Sequence, residues 1–308
     1  MHTSLPADVV AFEAAARDRF AALGGVGLAL EAESEPTLRD TVGHALAEIG
    51  AWDVDVRGDA DELLAAAALC RAAGAVALPF PLVSQLLAVD GVALALVDPE
   101  RVWINHGDLT ETWRVADLDG NAWSARPHAP RPAKLGPFVT RADLVDNVGA
   151  VPLDDVNRHL VLGSWRILGG LDASLALAAA HVQVRKQFGQ TLAEFQSVRF
   201  SLADAVVKHR GLEELTKYTT WRLHSAVPAA RHADAVALRL HAVEVAISVL
   251  RCCHQLFGAV GFCDEHSLSV IDRHMQSLLR LPYAADALAE RLIPAVSAGE
   301  LESLFTTA

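Results

Sequence analysis

The sequence predicts a mostly α-helical protein with a short β-rich segment in the middle of the chain. Apolar residues recur at helical spacing over residues 8–95 and again from about residue 152 onwards. Between these regions lie short runs rich in Trp, Val and Thr, separated by Asp, Gly and Asn. Apolar residues make up 52% of the 308 residues, which supplies a sizeable core and excludes a disordered chain.

Residues 1–95 are predicted to form an N-terminal helical domain. Phe12, Ala16 and Phe20 form one apolar stripe at helical spacing. The glycines at positions 24, 25 and 50 predict helix ends, and the Leu-Pro-Phe-Pro run at 78–81 interrupts the helical pattern before a short helix at 82–87.

Residues 96–150 are predicted to form a reduced β middle segment. The β-like runs lie at 102–104, 112–115 and 122–124, and four prolines follow between positions 127 and 137. We expect Trp103, Trp113 and Trp123 to form a small hydrophobic core. This segment is too short for a complete barrel or sandwich.

Residues 151–308 are predicted to form a C-terminal bundle of long helices. The helical stretches are 155–187, 194–225, 229–256 and 268–279, with a last helix from 284 to about 305. Several exceed 25 residues, which is typical of long antiparallel bundles.

Charge and composition exclude several classes of function. The 26 Lys and Arg residues against 38 Asp and Glu residues give a net charge of −12, which argues against nucleic-acid binding and against a polybasic membrane contact. We expect no membrane-spanning run of roughly 20 apolar residues and no signal peptide, and therefore a cytoplasmic protein. The four cysteines match neither a disulfide framework nor a zinc pattern, and no metal site is expected.

The first segment that suits a ligand is RKQFGQ at residues 185–190, where one long predicted helix ends. The guanidinium of Arg185 suits bidentate contact with phosphate, and the ring of Phe188 could pack against a planar ligand. The same residues are also compatible with an ordinary glycine helix cap beside an arginine whose stem covers apolar surface.

The second such segment is QLFGAVGF at residues 255–262, at the end of the next long helix but one. Glycines at such a turn allow backbone N–H groups to approach a ligand closely. One glycine turn is common at ordinary helix ends, but two ligand-suited turns on neighbouring long helices indicate a shared ligand.

Together these segments resemble the acyl-CoA dehydrogenase family. Its C-terminal helical domain carries an R-x-x-F-G…F-Q…L-A-D run and then a Q-x-x-G-G-x-G turn. The matching residues here are Arg185, Phe188, Gly189, Phe195, Gln196, Leu202, Ala203, Asp204, Gln255, Gly258 and Gly261. Residues 46–50 and 77–81 look like the family's N-terminal segments. The resemblance implies an N-terminal helical domain, a β middle domain and a C-terminal helical bundle.

The resemblance also implies the chemistry. Family members use FAD to remove two hydrogens from an acyl-CoA: a glutamate takes the α-proton, and the β-hydride passes to the flavin. The adenosine and pyrophosphate half of FAD is held by residues of the neighbouring subunit. By match, the cofactor-binding residues here are Arg185, Gln187, Phe188, Gln196, Gln255 and Gly258. Ala259 stands in place of the second glycine of the turn.

The sequence departs from the family on the reactive side. The usual position of the catalytic glutamate falls on Pro282, and the position used by a minor branch falls near His159. Asp154 and Asp155 are close by, but they fit the acidic first turn of a helix. The β-domain is reduced and lacks the family's T-E…G-S-D motif. We therefore expect no catalytic base on this chain.

In these departures the chain resembles the shorter subunit of the heterotetrameric (α2β2) acyl-CoA dehydrogenases of actinobacterial steroid and cholesterol catabolism. The resemblance implies a non-catalytic subunit that clamps an FAD shared with a larger homologous subunit, which binds most of the acyl-CoA. Two alternatives remain open. One is a self-sufficient homo-oligomeric flavoenzyme with a relocated base such as His159 or Asp155. The other is a non-enzymatic interaction protein on the same fold.

Overall fold

The computed structural model describes residues 4–131 and 133–301, and it confirms the predicted fold class, with a small sheet between two helical regions. The N-terminal helices are α1 (Ala7–Ala22), α2 (Val26–Ser34), α3 (Leu38–Glu48), α4 (Ala60–Ala75) and α5 (Leu82–Leu86). Helix α1 ends before a turn in which Gly24 and Gly25 have φ values of +117° and +57°. The Asp59 side chain caps α4 by accepting hydrogen bonds from the N–H groups of Asp61 and Glu62.

The middle segment is a five-stranded sheet. Its strands are β1 (Leu94–Leu96), β2 (Trp103–Asn105), β3 (Trp113–Ala116), β4 (Asn121–Pro127) and β5 (Val139–Ala150). The strand order is β1-β3-β4-β5-β2; β1 and β3 are parallel, and the other pairs are antiparallel. Strand β1 was not predicted from the sequence, and it begins two residues before the predicted boundary at 96. Strand β5 was not predicted either, because most of it is exposed and it follows a proline-rich stretch.

The predicted tryptophan core of this sheet is only partly correct. Trp113 is fully buried, and its Nε1 donates to the carbonyl oxygen of Gly107 at 2.9 Å. Trp123 is partly buried against the same core. Trp103 is 42% exposed and is not part of it.

The C-terminal region consists of five helices and a short hairpin. The helices are α6 (Leu153–Val184), α7 (Gln196–Ser225), α8 (Pro228–Phe257), α9 (Ser267–Arg280) and α10 (Ala285–Ala298), and the hairpin is formed by β6 (Lys186–Gln187) and β7 (Gln190–Thr191). The helices agree with the sequence analysis to within three residues except at the end of α10. That helix ends at Ala298 because Gly299 adopts a left-handed conformation, and the predicted end near 305 lies outside the described residues.

Helix α6 is the centre of the molecule and packs against α4, α7 and α8. Glycines bring α4 and α6 together: a Cβ atom at Gly169 would lie 1.9 Å from the carbonyl oxygen of Arg71, and one at Gly74 would lie equally close to that of Arg166. Contrary to expectation, α6 is long and apolar enough to cross a membrane by length and composition. A buried core helix passes the same test, and 50% of the most apolar window is buried here.

An ion-pair network joins α4, α6 and α7 on the other side of this contact. Arg71 donates to Asp172 at 2.8 Å and to Glu213 at 2.9 Å, and His209 lies 3.0 Å from Asp172. Burial alone would raise the pKa of Asp172, but hydrogen bonds from His209 and Arg71 hold that pKa well below its usual value. Side-chain ion pairs therefore add to the packing that holds α4, α6 and α7 together.

Candidate functional site

The RKQFGQ segment forms a tight hairpin. Helix α6 ends at Val184, and Lys186–Gln187 pairs with Gln190–Thr191 across a two-residue turn. The two turn residues, Phe188 and Gly189, have φ values of +52° and +82°, as in the turns that favour two-residue hairpins. An aromatic residue rarely adopts a positive φ. The segment is thus more than an ordinary glycine cap, and it projects the Phe188 ring outwards with 93% of the residue exposed.

The second glycine turn closes α8 next to this hairpin. Gly258 has a φ of +63° and ends the helix, and a Cβ atom at this position would meet no atom within 4 Å. At Gly261 a Cβ atom would lie 2.8 Å from the Cβ of Phe257. Gly258 therefore leaves its backbone open to the outside, whereas Gly261 serves internal packing.

The two turns face each other across an open groove of about 560 Å³. Four predicted cofactor-binding residues line it: Arg185 and Gln187 from the hairpin, and Gln255 and Gly258 from the end of α8. The structure thus brings together residues that lie 70 positions apart in the sequence. Gln196 and Phe188 do not line the groove. Gln196 is the exposed first residue of α7, and the Phe188 ring packs edge-on against Phe195, with centroids 6.4 Å apart.

Three polar residues of this groove were not predicted from the sequence. Ser197 and Ser201 line it from α7, and His181 lines it from α6, with its ring 4.3 Å from that of Phe257. The signal was available, because the serines are four residues apart on one helix face and His181 lies one turn before Arg185.

The groove favours negatively charged ligands. Arg185 is exposed, and no carboxylate in the described part of the chain forms a salt bridge with it. The described lining residues include no Asp or Glu. Burial and the charge of Arg185 both lower the pKa of His181, which leaves this imidazole neutral. A guanidinium, two amides and an open backbone turn suit a phosphate group bound beside a polar ring system.

A second, internal cavity of about 60 Å³ lies where α6, α8 and α9 meet the sheet. Pro282 and His159, the two positions considered for a catalytic base, both line this one cavity. None of its described lining residues is a carboxylate. Burial and the positive charge of Arg239 lower the pKa of His159 to about 3, so its ring is neutral and a weak base near pH 7.

Asp155, the other alternative base, lies away from this cavity. It is buried at the start of α6, where its carboxylate is 3.1 Å from the Nε of Arg57 and 3.2 Å from a guanidinium nitrogen of Arg158. It lines a separate surface groove with Arg57. Its neighbour Asp154 pairs with Arg231 at 3.0 Å. Both carboxylates are held by arginines, in agreement with a structural role at the helix start.

Comparison with known proteins identifies the fold. Residues 156–281 match the family described as "Acyl-CoA dehydrogenase, C-terminal domain". The structure superimposes on a variant of the Tcur3481–Tcur3483 steroid ACAD with a TM-score of 0.80 and 17% identity, over 96% of this chain and 99% of that one. It also superimposes on the ChsE4–ChsE5 complex from Mycobacterium tuberculosis, with a TM-score of 0.77 and 15% identity over 100% of both chains. The fold is that of the acyl-CoA dehydrogenases.

Sequence similarity to curated relatives is confined to part of the chain. Mitochondrial isobutyryl-CoA dehydrogenase of Dictyostelium discoideum is 30% identical over 128 residues, which is 41% of this chain and 30% of the relative. Acyl-CoA dehydrogenase FadE28 of Mycobacterium tuberculosis is 32% identical over 126 residues, which is 41% of this chain and 36% of the relative. The matched segment therefore spans about a third of the length of these acyl-CoA dehydrogenases.

In an acyl-CoA dehydrogenase fold, the donor set of the groove fits one half of FAD. Arg185 could offer a cation to a pyrophosphate, and Gln187 and Gln255 could offer amide groups. Gly258 adds a turn without a side chain that would block close approach.

Within the described residues, no group of three or more His, Cys, Asp and Glu side chains is arranged to hold a metal ion.

Proposed function

We propose that this chain is the FAD-clamping, non-catalytic subunit of a heteromeric acyl-CoA dehydrogenase. A larger homologous subunit supplies the seat of the flavin ring, the catalytic carboxylate and most of the acyl-CoA site. The complex introduces an α,β double bond into a CoA thioester, and the FAD is shared across the interface. The enzyme is active as the complex, and this chain is inactive alone.

The observation that carries this proposal is the contrast between the two sites. The groove at the helix ends is open, free of acidic lining residues and lined by four residues of the family's FAD motif. The internal cavity has room for a few water molecules, and it is lined by Pro282 instead of a carboxylate. A chain that has the cofactor groove but no carboxylate in the cavity binds a cofactor whose chemistry takes place on another subunit.

In the complex, Arg185 would neutralise the pyrophosphate charge, and Gln187 and Gln255 would hold that half of the cofactor. Phe188 and Gln196 lie outside the groove on the exposed surface of the corner, where they would contact a bound FAD beyond the groove. When bound, FAD supplies the hydride acceptor. The proton acceptor comes from the partner subunit.

Two similar structures support a heteromeric arrangement and a steroid-derived substrate. One is described as a complex of two differently named chains, and the other is described as a steroid ACAD. We infer an α2β2 assembly that acts on a steroid-derived acyl-CoA, and a cytoplasmic location.

The alternative of a self-sufficient flavoenzyme requires a base on this chain. His159 is a weak base in its buried site, and Asp155 is held by two arginines away from the cavity. The alternative of a non-enzymatic interaction protein gives no role to the non-acidic groove. The replacement Arg185→Ala distinguishes it from the FAD-clamping function.

The test compares two arginine variants in the complex with a larger acyl-CoA dehydrogenase subunit. Arg185→Ala should lower FAD affinity at least about tenfold, because a charge-assisted hydrogen bond contributes about 1.5–3 kcal/mol. Arg199→Ala is the matched control, since Arg199 is exposed on α7 and does not line the groove. Equal flavin content in both variants would refute the FAD-clamping role and favour the interaction protein.

A further inference from the structure

Two buried arginines from different helices face the internal cavity. Arg166 of α6 and Arg239 of α8 are 7% and 4% exposed. Arg166 donates hydrogen bonds to two carbonyl oxygens of the turn 78–80. Arg239 donates from Nη2 to the carbonyl oxygens of Leu278 and Leu281, at the end of α9. These bonds explain what holds the two guanidinium groups in place.

The bonds leave donors of Arg239 unused. Its Nε and Nη1 atoms are buried without a hydrogen-bond partner in the part of the chain that the structure describes. Nη1 lies at the wall formed by Gly163, because a Cβ atom at Gly163 would be 3.4 Å from it. Ser84 and Asn105 line the same cavity and add polar groups. Buried donors on a cation are costly when unpaired, so an acceptor placed beside them is strongly favoured.

No acidic group on this chain compensates the two charges. In the described residues neither Arg166 nor Arg239 forms a salt bridge, and no carboxylate lines the cavity. Burial lowers the pKa of each guanidinium to about 10, which still leaves both charged near pH 7. His159 is neutral there and adds no negative charge. The cavity therefore has a net charge of two positive units.

We propose that this cavity is a binding site for a small monovalent anion, a halide or a short carboxylate, held against Arg239. A volume of about 60 Å³ admits such an ion and excludes a nucleotide or an acyl chain. Trp103 lines the cavity and is 42% exposed, so the site lies close to solvent. It shares no lining residue with the FAD groove.

The anion would join three parts of the fold. It would lie between α6, α8 and the sheet, beside the arginine that caps α9, and would neutralise charge that folding otherwise buries. Because the unfolded chain has no such site, anion binding raises the unfolding temperature. The expected rise is about 2 °C when the anion is at about ten times its Kd, because a chain of 308 residues has a large unfolding entropy.

The first experiment measures the unfolding temperature of the full chain in sodium bromide, sodium acetate and sodium gluconate at equal ionic strength. Gluconate is too large for the cavity and serves as the reference. A higher unfolding temperature in bromide identifies a halide site, and one in acetate identifies a carboxylate site. Equal unfolding temperatures in all three salts would overturn the proposal.

The second experiment locates the ion. Crystals of the full chain or of its complex are grown in sodium bromide, and diffraction is recorded at the bromine absorption edge. We expect an anomalous peak in the cavity within contact distance of the Arg239 guanidinium. Water density there without an anomalous peak in bromide, together with no acetate density in acetate-grown crystals, would overturn the proposal.

Variants link the salt response to the cavity. Arg239→Met should abolish the anion-specific shift, and Gly163→Ala, which places a methyl group against Nη1, should weaken apparent anion affinity at least threefold. Gly211→Ala is the matched control, because a Cβ atom at this exposed glycine of α7 meets no atom within 4 Å. If Arg239→Met does not fold, Gly163→Ala decides. An undiminished response in that variant would contradict the site.

Discussion

The FAD groove and the internal cavity are two concave sites of opposite character. The groove between the α6–α7 hairpin and the α8 turn is open, lies at the surface and is lined by an exposed guanidinium and amides. The cavity between α6, α8 and α9 is about a tenth of that size, with buried guanidiniums, a proline and a neutral histidine. Under the proposed function, the difference teaches that the two halves of a flavoenzyme site can be separated on the same fold. Cofactor grip requires surface donors, whereas proton abstraction requires a positioned carboxylate.

The largest expected effect concerns the glycine that keeps the groove open. Gly258→Ala should lower the affinity of the complex for FAD about tenfold, because the side chain opposes the positive φ and the close approach of the ligand. Gly299→Ala is the control. It has a similar φ of +71° at the end of α10 and equally open surroundings. Both variants should lose about 1 kcal/mol of stability, but a control that also loses FAD would contradict a specific role for Gly258.

The next effect concerns the exposed ring of the hairpin. Phe188→Ala should weaken FAD binding by the complex about threefold to fivefold, while the unfolding temperature of the isolated chain stays the same because the ring buries little surface. Phe200→Ala, at a 60% exposed position of α7 outside the groove, should leave FAD affinity unchanged. Titration of the apo complexes with FAD measures both. A destabilised Phe188→Ala chain would indicate that the ring serves packing within this fold.

His159, which lines the internal cavity, should make the folding stability depend on pH. Burial and Arg239 hold the pKa of His159 at about 3, far below the unfolded value of about 6.5. Between these values the unfolded chain binds the extra proton, so stability falls as the pH falls below 6.5. Between pH 6.5 and 5, His159→Gln should therefore lose about 1–2 kcal/mol less folding stability than the wild type. The control His44→Gln, at an exposed position of α3, should lose as much stability as the wild type over this pH range. Identical pH profiles of His159→Gln and wild type would show that the imidazole titrates normally.

The smallest expected effect is on chemistry. In the complex, His159→Gln and Asp155→Asn should change the rate of flavin reduction by acyl-CoA less than about twofold, whereas loss of a general base costs about 10²–10⁴-fold. Stopped-flow flavin absorbance gives the rate. A hundredfold loss in either variant would assign the base to this chain and remove the contrast between the groove and the cavity.

The sequence predicted the helical parts of the fold well because their signal is local. The apolar period marked each long helix, and glycine marked the ends of α1 and α8. Strand β5 was missed because only its first residues alternate in burial, and the rest of the strand is exposed. The end of α10 was overestimated because Gly299 was not recognised as its cap.

The site was predictable to the extent that it lies in short motifs. Arg185, Gln187, Gln255 and Gly258 were found from two turns and meet in one groove. No local pattern could reveal Arg166 and Arg239, because they lie 73 positions apart on different helices and line one cavity only through the packing of α6 on α8. Their meeting is a property of tertiary structure.

The central proposal is that this chain holds part of FAD while a larger subunit supplies the catalytic base. It is tested most directly by measuring flavin content and flavin reduction in the isolated chain and in the complex. The chain is produced alone and together with a larger acyl-CoA dehydrogenase subunit, and FAD per chain and its reduction by acyl-CoA are measured by absorbance. We predict that the chain alone holds no stoichiometric FAD and reduces none, while the complex is yellow and is reduced. An isolated chain that binds one FAD and is reduced by acyl-CoA would contradict the account.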